Sequence, residues 1–518
     1  MNASAAVPDE NVPPDADMAT LARGGRLNAF GFILRLAARL PFLFIAGRVY
    51  GAEALGRFAY AVLIVEFAAQ FATFGLRRGL AQLLANARKP HACVVADALL
   101  LSLLGSALCM AILMSFPRAM FPNSQVHGLD WLLPITVLAV SWTDISLAAL
   151  AYRNDVGATV RARSLVEPWA ISIVAFAWQY ISLRDGLIIS YVFSMVAAMV
   201  AAMIPLVRSY GIPHGWKPDL VGSWRTARKN SPLAAADAVE WASRRVDLAV
   251  LGLLMSPAFV GIYYVAQQVA TLPAKLKSSF EPVLGPVIAR NIAEGDLQAV
   301  AKQVRQVSYW IIAAQAGIAL SLAMPGRAVM GLVGSNFTGG TATLGFLLAA
   351  EVIAAAAVVS EAALIYVDRH RNMVISLIML ALEAGLAAAL IIVMRDIGWD
   401  EAHQATGPAI ALCIALAFAS ITKSLLLARN LGARVSGWRR DILFALAAGL
   451  VVGIPVRLYL PELWQLVIGI PAILVAFGVV VWTKGFGPED RELFRLRKAD
   501  IEELHANAAQ AQVADDVI

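Results

Sequence analysis

The side chains of this sequence most able to do chemistry are charged groups set inside apolar runs. The clearest case reads PLAAADAVEWASRRVDLAVLGLLM, residues 232 to 255, where Asp237, Glu240, Arg244 and Asp247 follow at spacings of 3, 4 and 3. On a continuous α-helix they form one stripe, with Arg245 about 100° further round. A charge at the centre of a bilayer costs ~2.5 to 3.5 kcal/mol on insertion scales, so the stripe is expected to face a water-filled interior. Glu240 and Arg244 stand four apart and can neutralise each other, in which case exchanging the two would restore a purely structural pair. Arg35 and Arg39, in the first apolar run, share a helical face, and on a structural reading they reach acids such as Glu66. Lys275 and Lys277 come late in the eighth run, where cavity lining and snorkelling to the interface fit equally. Asp144, Glu167, Glu351, Glu361 and Glu383 fall in other runs, and each reads more simply as a packed, hydrogen-bonded acid. The chemistry on offer is electrostatic: arginines holding an anion, charges pairing, or coupling to an ion through acids such as Glu66, Asp237, Glu240 and Asp247.

The elements that position these groups follow from composition. At 59% hydrophobic and 15% charged, the 518 residues depart far from the ~45 to 50% and ~25% of soluble domains. Apolar runs of spanning length fall at roughly 27–47, 56–75, 92–116, 130–151, 164–183, 186–207, 232–255 and 257–279. Six more follow at 306–325, 341–366, 373–394, 407–428, 440–458 and 463–483, which predicts an all-α integral membrane fold of about 14 transmembrane helices. Pro205, Pro273, Pro282 and Pro286 are expected to loosen helix backbone near helix ends. No HExxH, CxxC or paired-histidine spacing occurs, so no metal site or other cofactor is expected. Cys93, Cys109 and Cys413 lie in apolar or near-apolar stretches, which excludes a disulfide scaffold.

Of the 42 Lys and Arg residues, 28 fall on the side of the termini, 7 on the opposite side and 7 inside the runs, with Arg57, Arg440 and Arg457 at run ends counted with the adjoining connections. By the positive-inside rule both termini are expected in the cytoplasm, and topology rather than nucleic-acid binding explains the net charge of +6. The predicted organisation is a disordered cytoplasmic tail (1–22), six spans (23–208), a cytoplasmic linker (209–231), six spans (232–429), two more (430–484) and a cytoplasmic tail (485–518) carrying a short amphipathic pattern. The connections are too short to fold into domains, so function falls to the membrane bundle. Sliding the sequence by 205 residues places Gly56, Phe58 and Ala61 on Gly261, Tyr263 and Ala266, and Arg39 on Arg244. An offset of six spans preserves orientation and implies two similar halves related by an axis along the membrane normal.

Two stretches resemble the polysaccharide flippases of the multidrug/oligosaccharidyl-lipid/polysaccharide (MOP) export superfamily. They are GRVYGAEALGRFAYAVLIVEFAAQFATFGLRRGLAQLLA (47–85) and RRVDLAVLGLLMSPAFVGIYYVAQQVATLPAKLKSSFEPVLGP (244–286). The resemblance implies two six-helix lobes around a central cavity, two additional C-terminal helices and alternating access, with no bond made or broken. It implies as cargo an undecaprenyl-diphosphate-linked oligosaccharide, moved across a bacterial inner membrane, with a polymerase and a chain-length regulator as partners. Arginine suits a diphosphate through bidentate geometry. Arg35, Arg39, Arg244, Arg245, Lys275 and Lys277 are the expected cavity cations, with Arg48 at the outer rim. Rival expectations are a drug or metabolite cation antiporter of the same superfamily and a lipid II flippase. A membrane glycan polymerase or ligase is disfavoured by the short external connections.

Overall fold

A computed structural model describes residues 40–487 other than 88 and 154, and all described regular structure is helical. Arg35, Arg39 and both tail assignments lie outside the described residues, as do the side chains of Lys275 and Lys277. Ten described helices are long and apolar enough to cross a membrane. Of the other four expected spans, the first lies mostly outside the described residues, and the fifth, seventh and eighth depart from a simple apolar helix.

The first bundle contains α1 (Gly51–Ala72), α2 (Leu76–Ala85), α3 (His91–Ser115), α4 (Thr136–Tyr152), α5 (Glu167–Trp178) and α6 (Gly186–Tyr210). A π-helical turn, Val160–Val166, leads into α5 and accounts for the shortened fifth span. The seventh span is two helices, α7 (Leu220–Ala242) and α8 (Val246–Leu254), separated where Arg245 leaves helical geometry at φ −145° and ψ 5°. This corrects the single stripe: Asp237, Glu240 and Arg244 stay together, and Asp247 belongs to a different helix. The break places Asp247 in the first turn of α8, where the positive end of the helix dipole favours an acid.

The second bundle continues with α9 (Pro257–Ala293), α10 (Leu297–Ala323), α11 (Gly326–Val333), α12 (Thr341–Val367), α13 (Arg369–Asp396) and α14 (Gly407–Leu431). Helix α9 runs unbroken through Pro273, Pro282 and Pro286, so the expected loosening produces no interruption; Gln315 of α10 donates to the Pro273 carbonyl at 3.1 Å. The last pair, α15 (Arg440–Tyr459) and α16 (Ile470–Val480), packs on α10. Of the expected 209–231 linker only residues 211–219 lie outside helices, the rest belonging to the end of α6 and the start of α7; we call the side carrying α2 and these residues the linker face, and the side carrying residues 117–127 the far face. On the linker face Asp219 caps α7 by accepting from the Gly222 amide at 2.8 Å, and that bond, with Lys89 nearby, holds its carboxyl below the usual range.

The two bundles meet most closely where α1 crosses α9. A side chain on Gly56 would strike the Pro257 carbonyl, and one on Gly261 would strike the Ala52 carbonyl. Ala52 and Pro257, like Gly56 and Gly261, are 205 residues apart, so the contact is reciprocal, as a local two-fold axis requires. The obstacle is backbone and cannot rotate away. Gly56→Leu is therefore expected to lose membrane-inserted, folded protein by more than the ~1 to 3 kcal/mol of ordinary overpacking, whereas Gly345→Leu, where nothing lies within 4 Å, should be tolerated. Thermal melting of the purified variants checks this.

Candidate functional site

Charged side chains collect along the seam between the bundles. On the linker face Arg78 of α2 places Nε 2.7 Å from Asp237 Oδ1, with Arg77 at 3.7 Å, and also pairs with Glu240. Glu240 takes Arg244 Nη2 at 3.1 Å on its other oxygen. The pairing of Glu240 with Arg244 is thus present, but a third partner shares it. Arg244 keeps 69% of its side chain exposed, whereas Asp237 is buried. Arg245, turned away by the break, reaches Glu66 Oε2 of α1 at 3.2 Å and lies over the Trp241 ring at 4.6 Å. Tyr191 of α6 donates to the other Glu66 oxygen at 3.3 Å. Glu66 is therefore a bridge between bundles. Arg48 is exposed and donates to the Leu332 carbonyl at 3.0 Å, next to α11.

Inside the first bundle Arg163, in the π-helical turn, pairs with Asp144 of α4 and with Glu167 Oε2 of α5 at 2.9 Å. Arg163 lies just before the apolar run at 164–183, so hydropathy alone does not place it in the bundle. The signal that could have found it is its i, i+4 spacing to Glu167. Removing one partner from such a cluster leaves charge uncompensated, so Arg163→Ala is expected to destabilise by about 3 kcal/mol or more, and Arg163→Ala with Asp144→Ala and Glu167→Ala by less. Denaturation of the two variants in detergent would reverse the assignment if the order were inverted.

The second bundle holds a drier cluster. Tyr263 of α9 donates to Asp247 Oδ2 at 2.6 Å, Gln267 to the same oxygen at 3.1 Å, and the Leu248 amide to Oδ1 at 2.7 Å. Helix α8 packs on α13, whose Glu383 is fully buried and, among the described residues, has no hydrogen bond to either carboxyl oxygen. The expectation that Glu383 is a hydrogen-bonded acid is thus corrected. Nearer the other end of α13, buried Lys423 of α14 donates to Glu361 at 2.8 Å and to Ser376 at 3.0 Å, so Glu361 is a paired acid. Among the described residues no group of His, Cys, Asp and Glu is arranged to hold a metal ion.

Two packed helical bundles of spanning length, with a charged, partly exposed seam between them, define an integral, multi-pass membrane protein. Residues 45–339 match the polysaccharide biosynthesis protein family, and the chain belongs to that family. The fold is similar to that of solved MOP superfamily transporters. Similar solved structures include an inward-facing multidrug resistance MATE family transporter of that superfamily, at a TM-score of 0.61 and 14% identity, covering 77% of this chain and 98% of the other. They also include the lipid II flippase MurJ in an inward closed conformation, at 0.62 and 14%, covering 92% and 100%. A MOP superfamily transporter from Pyrococcus furiosus aligns at 0.55 and 13%, over 81% and 96%, and is described as having a binding pocket of reversed polarity. No curated protein matches the chain. At these identities the likeness is one of fold.

Proposed function

We propose that the protein is a flippase that moves an undecaprenyl-diphosphate-linked oligosaccharide from the inner to the outer leaflet of the bacterial cytoplasmic membrane by alternating access, in the synthesis of a surface polysaccharide. The family supports the polysaccharide setting. The observation that carries the cargo class is the charge of the seam: among the described residues the four arginines Arg77, Arg78, Arg244 and Arg245 pair with three acids, Asp237, Glu240 and Glu66, and Arg244 keeps most of its side chain exposed. An anionic diphosphate fits such a seam, and a cationic drug does not. Arg244 and Arg245 would hold the diphosphate, joined by Arg35, Arg39, Lys275 and Lys277, while the lipid tail stays in the bilayer. Asp247 with Glu383 would take up a coupling cation or proton, because two acids in one dry site cannot both be charged without a compensating positive charge. The two bundles would act as the moving lobes, with the linker between them.

Reconstituted protein should transfer a lipid-linked oligosaccharide to the opposite leaflet, read by access of a soluble glycosidase, and should not export a cationic dye. Dye export without lipid transfer would replace the proposal with the cation antiporter. For orientation, reporter fusions at Asp219 and Ile518 should report cytoplasm and one at Asn123 periplasm. A periplasmic Asp219 would invert the transport direction.

A further inference from the structure

The connection from α3 to α4 on the far face is built more firmly than a loop needs to be. Its Met120 and Phe121 are almost fully buried. Arg57, at the start of α1, lies over the Phe121 ring at 4.6 Å and donates to Ser124 Oγ at 3.2 Å, to the Gln125 carbonyl at 2.8 Å and to the buried Asp130. Asp130 closes the far end of the segment by accepting from the His127 amide at 2.9 Å. All of these contacts stay within the first bundle.

Asn123 does not. Its Nδ2 donates to the Gly252 carbonyl at 3.0 Å, in the last turn of α8, and to the carbonyl of the capping Met255 at 2.8 Å, both in the second bundle. Carbonyls at a helix C-terminus lack intrahelical donors, so Asn123 satisfies groups that would otherwise need water. Directly beneath it lies the Gly56–Gly261 crossing, with Tyr60 against Gly252. One preformed amide thus spans the bundle seam on the face where the α1–α9 crossing brings the two bundles into backbone contact. Helix α8 is also the one that carries Asp247, so its position is shared between this contact and the acidic cluster.

We propose that residues 120–130 form a strap, clasped by Arg57, whose Asn123 tip holds the far face closed and lets go of α8 each time that face opens. The strap rests on the alternating-access part of the proposed function, and its test does not need cargo. In a background with Cys93, Cys109 and Cys413 changed to Ser, Val260→Cys places a reporter thiol under the strap, where the native valine is buried. Purified protein is treated with a bulky maleimide. Two lost hydrogen bonds should raise the labelling rate by about tenfold in Asn123→Ala, and Arg57→Gln should raise it too, while Arg118→Ala, outside the clasp, should not. Equal labelling in wild type, Asn123→Ala and Arg57→Gln would overturn the strap.

A second measurement asks whether the strap must release. Asn123→Cys with Met255→Cys, joined by a short bifunctional thiol reagent that a reductant cleaves, should stop lipid transfer reversibly and keep the Val260→Cys thiol protected. Full transfer by the joined protein would show a fixed strap and overturn the release step. Normal labelling shifts with no lipid transfer in unmodified wild type would leave the strap standing and remove the flippase reading instead.

Discussion

Glu383→Gln is expected to lower lipid transfer by at least about tenfold while leaving the protein as stable as wild type, or more so. The two halves of that expectation come from the same observation. Glu383 is fully buried and neither oxygen is hydrogen-bonded among the described residues, so it contributes a desolvation cost with no compensating contact from them. Replacing it with an amide of the same shape removes a group that must be neutralised, and the melting temperature should hold or rise. If the acid serves as half of a site that picks up and releases positive charge with Asp247, transport should suffer for the same reason. Asp247→Asn should separate differently, because Tyr263, Gln267 and the Leu248 amide all donate to its carboxylate. An amide offers one acceptor oxygen where those donors meet two, so this variant should lose both stability and transfer. A purely structural role for Glu383 predicts lower melting and lower transfer together. Normal transfer by Glu383→Gln would end the coupling assignment.

The long apolar helices were legible because period and length are local properties: each run carries its own hydropathy and boundaries. The 205-residue offset was legible for the same reason, and it located the crossing glycines, although sequence alone gave no hint that Gly56 and Gly261 touch each other. What was not legible depends on backbone departures and on partners far away in sequence. The break at Arg245 leaves no mark in the local charge and hydropathy pattern, and the partner of its guanidinium, Glu66, lies in another bundle. Arg77 and Arg78 read as ordinary topology-setting charges, because nothing near them in sequence reveals that α7 brings Asp237 and Glu240 against them. Glu383 looked like any single acid in an apolar helix. Its lack of a partner is a property of the packed interior alone.

The same shared partners change which arginine test is decisive. Exchanging Glu240 and Arg244 would place a guanidinium at 240 directly against Arg78, so that swap should fail whether or not Arg244 meets cargo. Arg245 and Glu66 make the cleaner pair, at 3.2 Å between bundles, with Tyr191 as the other contact of Glu66. Arg245→Glu sets two carboxylates facing each other across the seam, and lipid transfer is expected to fall to background. Arg245→Lys keeps the charge, loses the planar fork and should retain a fraction of activity. The reciprocal exchange, Glu66→Arg with Arg245→Glu, restores the ion pair and returns a guanidinium to the seam from the opposite bundle. If the pair only braces the bundles, transfer should return to near wild type along with melting temperature. If Arg245 holds the diphosphate, the exchanged guanidinium starts from α1, away from the Trp241 ring that supports it now, and melting should recover while transfer stays low. Full recovery of transfer in the exchanged protein would assign Arg245 to bracing and move the cargo contact to Arg244.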